Sequence, residues 1–291
     1  MRNLCGAGMW SIISLSVAVS AVVMVGCAPA ENNAAGAPGQ AAINQKPLNR
    51  KDAQQVLTQA YAAFEGKQYD AAMQGADRVL VGNRDGAGAA EAHYLRGRVF
   101  EERAIQATDA VGAKTSLVYA RTAYNAALGA HPSTEVEGRV HAGIANVAYF
   151  QDDYATAIAE YTAAFNKLTD PSSKAWALYR VALSQQRFGN FDEADQTFAK
   201  VQQGFPSSEP AKRAGQHIGA RGFQVQIGTY ATPANAQNAV AALRAEGVIG
   251  TQQTDPNGRV VVRVGPVPTY DQARALKSRL AAKYPDALII P

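Results

Sequence analysis

The apolar and polar positions along the chain change their spacing from one stretch to the next. Residues 1–26 contain a long uncharged apolar run, and residues 27–50 have almost no apolar bulk. Residues 51–221 repeat apolar positions at helical spacing, whereas residues 222–291 alternate at strand spacing between two helical segments. The pattern predicts an export signal, a flexible linker and two folded domains, and a chain of 291 residues is long enough for both.

The N-terminal run ends at a cysteine. Residues 9–25 are 17 uncharged residues behind the basic Arg2, a length typical of a signal peptide and marginal for a membrane span of about 20 residues. The junction with Cys27 resembles the bacterial lipoprotein box, which implies a cysteine that carries fatty acyl chains such as palmitate after cleavage. Ala28 stands where an aspartate would retain a lipoprotein in the inner membrane, so the resemblance implies the outer membrane, facing the periplasm. An uncleaved anchor helix is the alternative.

The linker that follows Cys27 is rich in Ala, Asn, Gly, Pro and Gln. Such a composition buries little and predicts a flexible tether. Its 23 residues, 28–50, reach at most about 75 Å when they are fully extended.

A repeated helical pattern occupies residues 51–221. Its anchor alanines, separated by 48, 37 and 37 residues, are Ala72, Ala120, Ala157 and Ala194. Mostly apolar residues recur three before, four after and seven after each anchor, which is one face of a helix. The pattern resembles the tetratricopeptide repeat (TPR), with a usual period of about 34 residues, which implies a helical solenoid that binds a peptide or protein. The 48-residue gap predicts an overlong helical hairpin over 88–129. Residues 208–219 are predicted to form a capping helix. A plain alanine-rich helical bundle is the alternative.

The last seventy residues predict a small α+β domain. Strands alternate with helices in the order βαββαβ, over residues 223–230, 233–246, 248–254, 259–264, 270–284 and 287–290. This order predicts two helices on one face of a four-stranded antiparallel sheet. The predicted fold class is therefore multidomain, an α-helical TPR-like solenoid followed by this domain.

Two motifs connect the C-terminal domain to a family. Residues 225–230 are similar to V-Q-x-G-[ST]-[FY], and residues 263–266 read R-V-G-P. Both resemble the SPOR (sporulation-related repeat) domain. The resemblance implies binding to peptidoglycan, especially glycan strands that have lost their stem peptides and are enriched at the division septum.

Strand alternation assigns side chains to the two faces of the predicted sheet. Val225, Ile227, Val260, Val262 and Val264 should point toward the helices. The opposite, open face should carry Gln224, Gln226, Arg259, Val261 and Arg263, and the family resemblance adds Thr229. Amides and guanidiniums can hydrogen-bond sugar hydroxyls, acetamido groups and lactyl carboxylates. These six residues are the candidate glycan site, with a merely solvated face as the alternative for the two arginines.

Other functions find little support in the sequence. The formal charge of +4 is too small for a polycation that binds nucleic acid. Two cysteines exclude a disulfide-rich scaffold and a four-cysteine zinc module. No nucleophile elbow, phosphate loop or H-E-x-x-H motif is present, and the four histidines are scattered, so we expect no catalytic residues, metal or cofactor. An RNA-recognition motif shares the βαββαβ order, but residues 259–264 lack its stacking aromatics, so we expect no nucleic-acid partner.

The sequence therefore predicts a non-enzymatic outer-membrane lipoprotein. We expect its lipid on Cys27 to lie in the membrane, its SPOR domain to bind glycan strands at the septum, and its repeats to recruit an unidentified protein. In the alternative, the repeats are a scaffold for envelope or outer-membrane protein assembly and the SPOR domain only localises them.

Overall fold

A computed structural model describes residues 46–291. The predicted signal peptide, Cys27 and the linker up to residue 45 lie outside the described residues. The described chain forms two compact units, one of residues 46–184 and 196–215, the other of residues 185–195 and 216–291.

The first part of the described chain is helical. Its nine helices are α1 Arg50–Glu65, α2 Tyr69–Leu80, α3 Ala87–Gln106, α4 Ala110–Gly129, α5 Thr134–Phe150, α6 Tyr154–Lys167, α7 Pro171–Phe188, α8 Phe191–Gly204 and α9 Glu209–Ala214. Consecutive helices from α1 to α6 pack against each other. We call α1, α3, α5 and α7 the first helices of four helix pairs. The longest pair is α3 and α4, at 20 residues each, as the wide gap between anchor alanines predicts.

Several helices begin where a polar side chain caps them. The side chains of Asn49, Asp109, Ser133, Asp153 and Ser208 each accept a hydrogen bond from a backbone N–H in the first turn that follows. A cap of this kind satisfies one of the N–H groups that have no partner inside the helix. Helix α9 is shorter than predicted. It has six residues, whereas the predicted capping helix spans residues 208–219.

The anchor alanines are fully buried in the helical region. All four are 0% exposed. The aromatic residues four positions after the last three anchors, Tyr124, Tyr161 and Phe198, are also buried, at 0–1% exposure. The helical face that the spacing predicts is therefore the face that packs.

A buried polar network crosses α3 to α6. Glu101 is 5% exposed and accepts hydrogen bonds of 2.7 Å from the Tyr124 hydroxyl and from the Asn146 amide. The Tyr161 hydroxyl in turn donates to the Asn146 side-chain oxygen. Burial raises the pKa of Glu101, against the opposing charge of Arg98.

The C-terminal sheet has four antiparallel strands. Its elements are β1 Phe223–Tyr230, α10 Pro233–Ala245, β2 Gly250–Thr254, β3 Val260–Val267, α11 Tyr270–Leu280 and β4 Leu288–Ile290. The strands are ordered β2-β3-β1-β4, so the two long strands lie in the centre. The order βαββαβ is as predicted.

Six boundaries in this domain differ from the predicted ones. Helix α10 ends one residue earlier, and strands β2 and β4 begin two residues and one residue later than predicted. The other three differences concern β3 and α11. The third strand does not stop at Val264, because β3 continues through the cis Gly265–Pro266 bond until Val267 pairs with Phe223. It begins at Val260, which leaves Arg259 in the preceding turn. Helix α11 ends at Leu280, four residues before the predicted end.

The core of this domain lies between the sheet and its two helices. All five valine and isoleucine residues that alternation assigns to the helix side are at most 5% exposed. They pack with Ala236, Ala239 and Leu243 of α10 and with Leu280 of α11. Both helices of the domain pack on this face, so neither of them covers the opposite face of the sheet. Within residues 46–291, no helix is long and apolar enough to cross a membrane.

Candidate functional site

One row of side chains crosses all four strands on the open face of the sheet. Gln226 of β1 pairs with Leu288 of β4 on one side and with Arg263 of β3 on the other, and Arg263 pairs with Thr251 of β2. Directly paired residues point to the same face of an antiparallel sheet. The structure thus brings the predicted Gln226 and Arg263 together at neighbouring positions.

A second row lies beside the first. Thr229 of β1 and Gln253 of β2 both pair with Val261 of β3, which is two residues from Arg263 and therefore on the same face. The Arg263 Nη1 donates a 3.0 Å hydrogen bond to Gln253 Oε1, which joins the two rows. We call Gln226, Thr229, Thr251, Gln253, Val261, Arg263 and Leu288 the open-face site.

A β-bulge in β1 explains how Thr229 reaches this face. Gln226 pairs with Arg263, but Gly228 already pairs with Val262, so Ile227 is an extra residue in β1. Simple alternation would place Gln226 and Thr229 on opposite faces, because they are three residues apart. The bulge returns Thr229 to the face of Gln226, and the Gln226 amide lies 3.4 Å from the Thr229 hydroxyl.

Two predicted site residues have less freedom to contact a ligand. Val261 is on the open face but only 7% exposed, so it forms a floor between polar neighbours. Arg259 lies in the turn, where its Nε is 3.0 Å from the Asp255 carboxylate. The backbone N–H of Arg259 also bonds this carboxylate and is the main cause of the lowered pKa of Asp255. Arg259 therefore closes the β2–β3 turn.

The last predicted residue, Gln224, lies at the β4 side of the face. It is half-buried and pairs with Ile290. Ile290 and Leu288 form an apolar border at the β4 side of the open face, and Leu288 is 43% exposed.

Sequence reasoning missed Thr251, Gln253 and Leu288. These residues come from short strands of three and five residues, and their membership of the site depends on which residue they pair with. The alternation of Thr251 and Gln253 would have indicated one face, but not which face.

The chemistry of the open-face site is that of a neutral-to-cationic binding surface. It offers amide and hydroxyl groups that donate and accept, one guanidinium, and the aliphatic Val261 and Leu288. None of the residues assigned to this face is acidic. Such a surface suits a ligand with hydroxyls, amides and carboxylates.

No cluster in residues 46–291 has the make-up of a metal site. The half-buried His141 lies between Glu137 and Glu160, with its Nδ1 2.6 Å from the Glu160 carboxylate. His217 is packed beside Gln186, and burial together with the charge of Arg187 lowers its pKa to about 4.

Comparison with known families assigns the C-terminal domain. The model of the SPOR domain family matches residues 219–291, so the chain has a C-terminal SPOR domain. SPOR domains are binding modules rather than catalytic domains, and the match implies peptidoglycan binding and a connection to cell division. No curated protein sequence matches the chain.

Proposed function

We propose that this protein is an outer-membrane lipoprotein that binds denuded peptidoglycan glycan strands at the division septum and recruits a protein through TPR-like helix pairs. The observation that carries the proposal is the open-face site on the SPOR domain, which combines sugar-compatible amides and hydroxyls with Arg263 and has no acidic residue. Peptidoglycan carries carboxylates, and a guanidinium binds a carboxylate with two parallel hydrogen bonds.

Co-sedimentation of the full chain, kept in detergent, with purified peptidoglycan tests this binding. Removal of stem peptides by an amidase should increase the bound fraction. Arg263→Glu should weaken binding about tenfold, because a charge-assisted hydrogen bond is replaced by repulsion. Lys277→Glu is the matched control, since it makes the same charge change on α11, away from the open face. Equal losses in both variants would show that only net charge matters, and the site assignment would be wrong.

The repeats support the recruiting role through their architecture. Helix pairs with short connections and fully buried small residues at equivalent positions are typical of TPR-like arrays, which offer surfaces to peptides or proteins. Photo-crosslinking from exposed positions of the helix pairs in living cells tests it. A partner captured from these positions, and not from α11, is the expected result.

The lipid anchor is a separate part of the proposal. It rests on the apolar run that ends at Cys27 in the sequence. Cys27→Ser should abolish labelling by a fatty-acid probe and release the protein from the outer-membrane fraction. A Cys27→Ser protein that is still labelled and still fractionates with that membrane would contradict the assignment.

A further inference from the structure

Three first helices carry an arginine stacked on a ring of the preceding first helix. The distances from guanidinium carbon to ring centroid are 5.1 Å for Arg98 over Phe64, 5.0 Å for Arg139 over Tyr94 and 5.5 Å for Arg180 over Tyr149. The contact thus recurs between α1 and α3, between α3 and α5, and between α5 and α7. A cation within about 6 Å of a ring centroid is attracted by the ring. We call Arg98, Arg139 and Arg180 the arginine row.

The members of the arginine row differ in their acceptors. Arg139 donates a 2.7 Å hydrogen bond to the Glu91 carboxylate. Arg98 lies 3.9 Å from Glu102. Arg180 has no carboxylate partner among the described residues, and its buried Nε has no hydrogen-bond partner there. Arg98 and Arg139 each have a carboxylate within 4 Å and Arg180 has none among the described residues, so Arg180 is the member that can accommodate an anion.

The surroundings of Arg180 are aromatic. Trp176 lies one helical turn before Arg180 in α7, and residues four apart share a helix face. The guanidinium carbon of Arg213 lies 5.3 Å from the Trp176 ring centroid. Arg213 is paired with Glu209 at 2.9 Å. Trp176 is partly exposed, so a ligand at Arg180 would meet an aromatic surface as well as a positive charge.

We infer that Arg180, with Trp176 and Tyr149 beside it, binds a carboxylate of an acidic segment in the recruited protein. A guanidinium whose face rests on a ring keeps its N–H edge for a planar carboxylate. The partly exposed ring of Trp176 suits an apolar part of a peptide, whereas Tyr149, which is 6% exposed, supports the guanidinium. The inference rests on the proposed recruiting role of the helix pairs, and it adds the chemistry of the partner.

The test measures binding of a fluorescein-labelled hexaglutamate peptide to the detergent-solubilised full chain by fluorescence anisotropy. We expect saturable binding that weakens with added salt, and no binding of hexaglutamine. Arg180→Gln should weaken the binding about tenfold, as the loss of a charge-assisted pair implies. Arg180→Lys should restore only part of it, because an ammonium lacks the planar fork.

Arg103→Gln provides the matched control. Arg103 is also an arginine stacked on a ring, 5.6 Å from the Phe100 centroid, but it is already paired with Asp70 at 2.7 Å. This variant removes the same charge and the same kind of ring contact, so it should bind hexaglutamate like the parent. Thermal melts of all three variants show whether each is folded.

Several results would overturn the inference. They are absence of hexaglutamate binding by the parent, equal binding of hexaglutamine, and equal effects of Arg180→Gln and Arg103→Gln. Loss of peptidoglycan co-sedimentation in Arg180→Gln would show that the anion is the wall itself. If crosslinking captures a partner while hexaglutamate does not bind, the recruiting role is supported, but the inference that the partner is acidic is wrong. If crosslinking captures nothing, the recruiting role fails independently.

Discussion

The helical region and the SPOR domain treat their polar side chains in opposite ways. The buried polar residues of the helical region include Glu101, Asn146, Ser184 and Thr197, whereas residues 222–291 bury no polar side chain. In the sheet, alternate residues point to opposite faces, so polar groups collect on the open one. In the helix pairs, small residues bring helices close and long polar side chains cross between them. Polar groups in the helical region therefore hold the helices together, whereas the polar groups on the open face of the sheet remain available for binding.

The largest effect should come from Glu101→Ala. This change leaves the Tyr124 hydroxyl and the Asn146 amide without their shared acceptor in a buried site, and we expect a loss of about 3 kcal/mol in the free energy of unfolding. Chemical denaturation measures it. A variant as stable as the parent would mean that the network does not fix the helix pairs, and the contrast with the sheet would fail.

The next effect should come from Gly97→Ala in α3. An added Cβ would lie 2.4 Å from the Tyr124 ring, so overpacking should cost about 1–3 kcal/mol. Gly88→Ala in the same helix is the control. Its Cβ would meet nothing within 4 Å, and it should stabilise the protein by up to about 1 kcal/mol. If both variants shift the melting temperature in the same direction, the close packing of Gly97 against Tyr124 is contradicted.

The pH dependence of stability should distinguish Glu101→Gln from the parent. Burial raises the pKa of Glu101 in the native state, so the native state binds this proton more tightly than the unfolded chain does. The ionised carboxylate is therefore penalised above the native pKa, and the penalty disappears below the ordinary value of about 4.3. Relative to the parent, the glutamine variant should gain stability as the pH rises through this window. A constant difference in melting temperature across pH would contradict it.

The smallest effect on stability should come from Gln226→Glu on the open face. Surface changes of this kind usually alter stability by about 0.5 kcal/mol or less, yet a carboxylate facing an anionic wall should weaken peptidoglycan binding about tenfold. Gln252→Glu is the control, because Gln252 pairs with the core residue Val262 and so lies on the other face. Similar binding by both variants would remove the functional meaning of the open face.

The spacing of apolar residues along the chain was sufficient to predict much of this fold. Offsets of three, four and seven residues identified the buried face around each anchor alanine, and the alternation around Val225 and Val262 identified the core face of the sheet. These patterns are local, since each helix turn or strand step repeats within a few residues. The pairing of Gln226 with Arg263 also agrees with the predicted face.

Relationships between distant segments required the tertiary structure. Thr251 and Leu288 joined the open-face site only through the register of short strands, and Arg259 left β3 because Asp255 holds it in the turn.

The sequence by itself determined which faces of the helices and strands are buried, because burial follows the periodicity of apolar residues. Only the tertiary structure decided which polar groups meet. Glu101 contacts residues 23 and 45 positions away, and Arg180 stacks on Tyr149 of the preceding first helix. Such contacts depend on how helices and strands are placed against each other, and a periodic pattern carries no information about that placement.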